Sequence, residues 1–494
     1  MFKRLNWLFW LLTAIVLSRL FSMALVPMID TTEARYAEVA RLMAETNDWI
    51  TPWFNYDVPF WGKPPLSFWS QAISFHLFGV TEFAARLPSW LANLGILGLI
   101  YTLSRQLTDH RQALISTLIF STMALSFAMS GAVLTDPFLA LGTTLSFVSI
   151  ILTMRNQHSL WRWWFFVGLS IGLLAKGPLI LVLVGGPVFL WVIWHWQWHE
   201  LAKTPWVRGT LVTALITLPW YIAAELKSPG FINYFIVGEH FLRFVDSGWK
   251  GDLYGTAHKE PFGTIWLHWI QATLPWGPIA IVVLVRRWFI SKKLNFFFKQ
   301  KLTDEQRLLL LAALFPSLFF TFSGNILWTY QLPALAPLSI LISMLIANST
   351  PMIRLKKTIF VTTLIFVPLV LVFVGFYAHF YPDKLKNEKS LIAYYEQNKN
   401  HNTAPLIYIG KLPFSARFYS KGQVTEMTLS ELRNSIDSKK GNTYFVATAN
   451  KNLNNVISSL PNQVTVELSN RRFILLKVHG TDQNKVISGQ STIF

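Results

Sequence analysis

Long apolar runs dominate this chain and leave it few folds to adopt. A helix needs roughly 20 residues to cross about 30 Å of hydrocarbon, and run after run approaches that length. The first, Trp7 to Met28, follows the basic pair Lys3 and Arg4. It exceeds a signal-peptide apolar core and no small-x-small site follows it, so it is expected to be a retained span. Further spans are expected at 84–104, 112–131, 134–153, 161–175, 177–197, 208–226, 264–285, 306–323, 328–347 and 357–378, about eleven in all. Composition agrees: 52% of the 494 residues are hydrophobic and 14% charged, against about 25% charged in soluble domains.

The formal charge of +18 points in a soluble protein to nucleic acid. Here the basic residues fall in the loops that alternate with the spans: Arg105 and Arg111; Arg155 and Arg162; Lys203 and Arg208; Arg286, Arg287, Lys292 and Lys293; Arg354, Lys356 and Lys357. By the positive-inside rule those loops and the N-terminus are cytoplasmic, and an odd number of spans puts the C-terminal domain outside. With no cysteine, disulfides, thiol nucleophiles and thiolate metal sites are excluded.

Two outer loops are long, 30–83 and 227–263. The first carries a helical pattern from Thr32 to Glu45 and an apolar, aromatic stretch from Pro65 to Phe78 expected to lie in the interface. Domains are therefore expected at 1–380, membrane-embedded, and 381–494, soluble. In the latter, strands are expected at 405–410, 423–428, 443–448, 463–468 and 472–478, alternating with helices at 386–397, 429–437 and 451–459, a small α/β domain.

Ionisable residues at membrane depth are functional candidates, and they collect on one side. Asp30, Glu33, Arg35, Tyr36 and Lys63 lie in the first outer loop, and Asp136 and Lys176 at outer turns. Glu239, His240, Arg243, His258 and Lys259 lie in the second long loop, and Tyr330 starts the tenth span. Each has a plain structural reading beside it. Asp30 with Glu33 has the spacing of a helix cap. Lys63 suits snorkelling, Asp136 and Lys176 suit helix ends, and Tyr330 suits an interfacial anchor. Carboxylates can act on an acceptor and cations can hold a departing phosphate, so the set suggests group transfer from a lipid phosphate.

The segments Asp30-Thr-Thr-Glu-Ala-Arg-Tyr-Ala-Glu-Val-Ala-Arg, Asn47-Asp-Trp-Ile-Thr-Pro and Lys63-Pro-Pro-Leu-Ser-Phe-Trp resemble the start of bacterial aminoarabinose-transferase-like enzymes, GT-C glycosyltransferases related to protein O-mannosyltransferases. Thr135-Asp136-Pro137, Ala175-Lys176-Gly177-Pro178, Glu239 to Phe244, Glu260-Pro261-Phe262 and Thr329 to Pro333 follow in family order. The resemblance implies a polytopic inner-membrane enzyme that takes a sugar from a polyprenyl-phosphate (undecaprenyl-phosphate) donor on the periplasmic face, with a lipid A phosphate as acceptor. It implies Asp30, Glu33 and Asp136 as catalytic carboxylates, Asp30 first. It implies Arg35, Tyr36, Lys63, Lys176, Arg243 and Tyr330 around the donor phosphate. A family metal would use His240 and Glu239, but Gly62 stands where many members carry a ligating Glu, which puts the metal in doubt. Ile326 and Leu327 occupy the neighbourhood of a family Lys. The alternatives are a transferase acting on protein or surface polysaccharide, a lipid-linked sugar transporter and an assembly scaffold. A transporter calls for midplane polar groups and internal repeats, and neither is seen.

Overall fold

The apolar runs fold as helices because an isolated peptide group has no partner in hydrocarbon, and the helix satisfies each one within its own segment. The computed structural model describes residues 6–155, 160–246, 249–255, 258–290, 302–347, 353–400, 405–438, 442–460 and 464–479. Met1–Arg4, Lys292 and Lys293 lie outside them. The chain divides into two compact units, Met1–Ala24 with Leu42–Val374, and Leu25–Arg41 with Gly375–Phe494. Residues 25–41, placed in the membrane domain by the sequence division, thus group with the C-terminal residues.

In the first unit, helices match nearly every expected span: Glu82–Leu107, Asp136–Met154, Trp161–Lys176, Leu179–His195, Trp206–Lys227, Asp304–Phe320 and Leu332–Ala347 among them. They share a core that includes Ile96, Phe120, Phe147, Trp191 and Ile340. The expected eleven spans are not all of spanning length. Among the described residues five helices are long and apolar enough to cross a membrane, or six with one bent pair counted as a span.

Two expected spans are broken. The run at 112–131 is two helices, His110–Thr122 and Ala124–Met129, parted by extended Met123. The run at 264–285 bends by 100° between Thr264–Thr273 and Trp276–Arg286, at Leu274-Pro275, where proline offers no N–H to continue the ladder. The breaks satisfy each other: Ala124 N donates to Leu274 O at 2.9 Å, and the Trp276 indole N–H donates to Thr122 Oγ1 at 2.8 Å. Irregular backbone among apolar helices survives only when protein groups satisfy it in this way.

The second unit holds a five-stranded sheet of order β4-β3-β5-β7-β6, with β3 Ile407–Ile409, β4 Thr425–Met427, β5 Thr443–Ala449, β6 Val464–Ser469 and β7 Phe473–His479. β3 pairs parallel with β4 and β5, while β7 runs antiparallel to β5 and β6. Side chains alternate across it. Tyr408, Phe445, Ala447 and Leu475 face one cluster with Leu391 and Ala416. Ile407, Tyr444, Val446 and Leu476 face the other with Leu432 and Val456. All five strands and the helices Lys389–Asn398, Leu429–Ser438 and Leu453–Ser459 lie where the sequence patterns put them; the short helix Phe414–Tyr419 was not expected.

Candidate functional site

In the first unit, the helices Asp136–Met154 and Trp161–Lys176 approach backbone to backbone. A Cβ at Gly168 would lie 2.7 Å from Gly142 O, so only glycine allows the contact. This brings the start of one helix beside the end of the other. An acid suits the positive N-terminal end and a cation the negative C-terminal end, and these are Asp136 and Lys176. Their side chains pair at 2.6 Å, each 9% exposed. Lys176 Nζ also lies 4.7 Å from the centre of the Tyr330 ring, within cation–π range. Gly177 follows at φ +81°, where a Cβ would strike the Phe235 ring at 2.5 Å.

The loop after Lys227 forms a π-helix, Asn233–Leu242. Its i to i+5 spacing stacks residues five apart. Tyr234 Oη donates to Glu239 Oε1 at 3.4 Å, and His240 Nδ1 meets Phe235 O at 2.7 Å. Glu239 is 5% exposed and receives Lys63 Nζ at 3.0 Å and Arg243 Nη1 at 3.0 Å. Burial pushes its pKa up, but Lys63 and Arg243 outweigh that and hold it down to about 2. Arg243 reaches Asp252 at 3.4 Å as well, while its buried Nε has no hydrogen-bond partner among the described residues. Lys63 itself follows a small hairpin, β1 Trp53–Asn55 and β2 Val58–Pro59.

His240 joins the two groups. Its Nε2 lies 2.9 Å from the Lys176 carbonyl oxygen. Lys63, Glu239, His240, Arg243, Lys176, Asp136 and Tyr330, distant in sequence, thus form one chain of contacts. A metal does not fit this arrangement. Both ring nitrogens of His240 lie against backbone carbonyl oxygens, at 2.7 and 2.9 Å, so neither faces open space where an ion could sit. Burial lowers the His240 pKa while the two carbonyls pull it up. No group of three or more His, Cys, Asp or Glu able to hold a metal occurs among the described residues.

Asp30, Glu33, Arg35 and Tyr36 belong to the second unit. Arg35 lies against the Tyr36 ring at 5.4 Å. Asp30 is held from both sides: Ser415 N donates to Oδ1 at 3.0 Å, Ser415 Oγ donates to Oδ2 at 2.5 Å, and Arg472 Nη2 reaches Oδ2 at 2.6 Å. The same Arg472 nitrogen lies 2.6 Å from Oε1 of fully buried Glu388. Burial lifts Glu388 to about 7, with Asp30 adding to the rise and Arg472 opposing it. One guanidinium thus serves two carboxylates. Asp252, Ser415, Glu388 and Arg472 were missed in the sequence, where each reads as an ordinary polar residue.

Residues 4–235 match the family described as dolichyl-phosphate-mannose-protein mannosyltransferase. The undecaprenyl phosphate-alpha-4-amino-4-deoxy-L-arabinose arabinosyl transferase of Erwinia tasmaniensis is 31% identical over 320 residues, covering 63% of this chain and 54% of the relative. Its counterpart from Shewanella sediminis is 30% identical over 318 residues, with the same coverage. The chain spans about half the length of these curated relatives. In fold it is similar to crystalline ArnT from Cupriavidus metallidurans bound to undecaprenyl phosphate, with a TM-score of 0.77 at 16% identity over 96% of this chain and 98% of that one. The oligosaccharyltransferase AglB of Archaeoglobus fulgidus follows at a TM-score of 0.55 and 12% identity, covering 92% of this chain and 70% of that one. The chain is thus similar in sequence to these arabinosyl transferases over about two thirds of its length, and similar in fold to ArnT over nearly all of it.

Proposed function

We propose that this chain is a glycosyltransferase that moves a sugar from a polyprenyl-phosphate donor to an acceptor on the periplasmic face of the bacterial inner membrane. The acceptor is a lipid A phosphate and the sugar aminoarabinose-like. In this reading the N-terminus is cytoplasmic and the C-terminal domain periplasmic. The observation that carries it is a pair of cations, Lys63 and Arg243, braced by one buried carboxylate while the Arg243 Nε donor finds no hydrogen-bond partner among the described residues. Such a pair suits an anion that gains charge during reaction.

In the step proposed, the bond from the sugar's anomeric carbon to the donor phosphate breaks, and its electron pair stays on the departing phosphate. Lys63 and Arg243 neutralise that charge. Lys176, in cation–π range of Tyr330 and paired with Asp136, adds a third cation. A lone pair of the acceptor oxygen forms the new bond. A lipid A phosphate is already anionic and needs no base; a hydroxyl acceptor would give its proton to a carboxylate. Of the two acids expected in the first loop, Asp30 has both oxygens engaged, and Glu33 is half-buried on the first turn of the helix Thr32–Thr46. Both remain the proposed acceptor-side carboxylates, and the bonds from Ser415 and Arg472 hold Asp30 in place.

The test is mass spectrometry of lipid A from cells with the gene intact, deleted, or carrying Lys63→Met. A mass increment that needs the intact gene, and falls by about 10²–10³ in Lys63→Met with normal membrane levels of the variant, supports the reading. A full increment in Lys63→Met overturns the role of Lys63. No increment even with the intact gene overturns lipid A as acceptor and moves the search to proteins and surface polysaccharides, a reading the mannosyltransferase match over 4–235 favours next.

A further inference from the structure

A cavity of about 550 Å³ opens in the first unit, lined by Asn47, Trp49, Trp53, Tyr56, Asp57 and Lys227 among others. It falls in the range of about 300–1,000 Å³ typical of small-molecule sites. Part of its lining has a structural explanation. Asp48 takes the N–H groups of Ile50 and Thr51, each at 3.1 Å. It also takes the Trp53 indole N–H at 2.9 Å and Lys227 Nζ at 2.7 Å. That web fixes the turn and sets the Trp53 ring. Three other lining residues stand open to solvent. Tyr56 is 46% exposed, with its hydroxyl tied to Glu45 at 3.0 Å. Asn47 and Asp57 are exposed, and both sit at positive φ, 53° and 62°, a conformation Asn and Asp accept more readily than most residues.

The chemistry of this lining selects a ligand. Aromatic rings offer flat apolar faces, and carboxylate, amide and ammonium groups beside them offer hydrogen bonds in several directions. A pyranose has both needs in one molecule: a C–H face to stack and a ring of hydroxyls to satisfy. Charge excludes phosphate as the main ligand. The lining carboxylates Asp48 and Asp57 outnumber the one cation, Lys227, and that cation is already paired with Asp48. This is the reverse of the Lys63 and Arg243 pair. The cavity is also tied to the segment that presents Lys63. Trp53 opens the hairpin that leads to Lys63, and Lys227 precedes Ser228, whose Oγ takes the Trp61 indole N–H at 2.8 Å.

We propose that this cavity is a saccharide subsite that holds the sugar rings of the acceptor, apart from the cations that hold phosphate. The assignment rests on the sugar-transferase reading above and deepens it.

The experiment uses the full-length protein in a detergent without a sugar headgroup, since a maltoside would compete. Calorimetric titration with an unphosphorylated β-1,6-linked glucosamine disaccharide should give saturable, millimolar binding. Tyr56→Ala and Asp57→Asn should each weaken it by about tenfold, while Tyr56→Phe, which keeps the ring, should bind nearly as the parent does. Undecaprenyl phosphate should bind all four proteins equally. Absence of saturable disaccharide binding by the parent protein overturns the subsite, as does unchanged binding in both Tyr56→Ala and Asp57→Asn. Those outcomes leave the transferase reading intact, because that reading is tested separately by Lys63→Met on lipid A. Disaccharide binding together with full transfer by Lys63→Met would keep the subsite and remove the phosphate role of Lys63.

Discussion

Replacing Glu239 by Gln keeps the shape of the side chain and removes its charge from between Lys63 and Arg243. The carboxyl titrates at about 2 in the folded protein against an ordinary 4.5. A difference of about 2.5 units corresponds to about 3 kcal/mol of favourable charge interaction at neutral pH. Little discount for solvent applies, since Lys63 is 17% and Arg243 21% exposed. The sign follows from a depressed carboxyl pKa. The stabilisation is fully present above 4.5 and is lost as pH falls towards 2, with roughly half gone at pH 3. Unfolding of parent and Glu239→Gln in detergent at pH 7, 5 and 3 should give equal gaps at the first two and a gap about half as large at the third. An equal gap at pH 3, or none at pH 7, would show that Glu239 is not held ionised by the two cations.

Arg472→Leu leaves buried Asp30 and Glu388 without a counter-charge and should destabilise the second unit by about 3–5 kcal/mol, seen as faster limited proteolysis of the C-terminal domain. Arg472→Lys should recover most of the loss, because one guanidinium nitrogen serves both acids. Gly177→Ala meets the Phe235 ring at 2.5 Å and His240 Cε1 at 3.1 Å while φ stays at +81°. It should lower thermal stability by about 1–3 kcal/mol and reduce the proposed sugar transfer by displacing Lys176 and His240. Unchanged stability and transfer would refute that placement.

Much of the architecture was legible because its signals are local. Strands β5 and β7 announce themselves through β-branched and aromatic alternation, and the helix Trp206–Lys227 through unbroken apolar length. The breaks were less legible. Nothing within 112–131 marks Met123 as extended, since the groups that satisfy the break come from Leu274 and Trp276. The π-helix was invisible as well, because Asn233–Leu242 reads as a plain amphipathic stretch. Of the site residues, Lys63, Asp136, Lys176, Glu239 and Arg243 stood out as charges near apolar runs. Arg472 did not, because a basic residue before a surface strand is ordinary until its partners are known. The same holds for Asp252, whose value lies in its distance to Arg243. Periodicity reports which way a side chain faces and says nothing of which distant residue it meets.

The bond between Asp30 and Arg472 spans 442 residues, and that separation sets an order of events in time. Asp30 leaves the ribosome 442 residues ahead of Arg472. At about 5–20 residues per second, the aspartate waits roughly 20–90 s for its counter-charge. Throughout that interval the first loop is without the tie that fixes it in the finished protein. A chain stopped anywhere between Asp30 and Arg472 would leave that acid without its arginine, so the segment leading into β7 completes the setting of a residue made long before it.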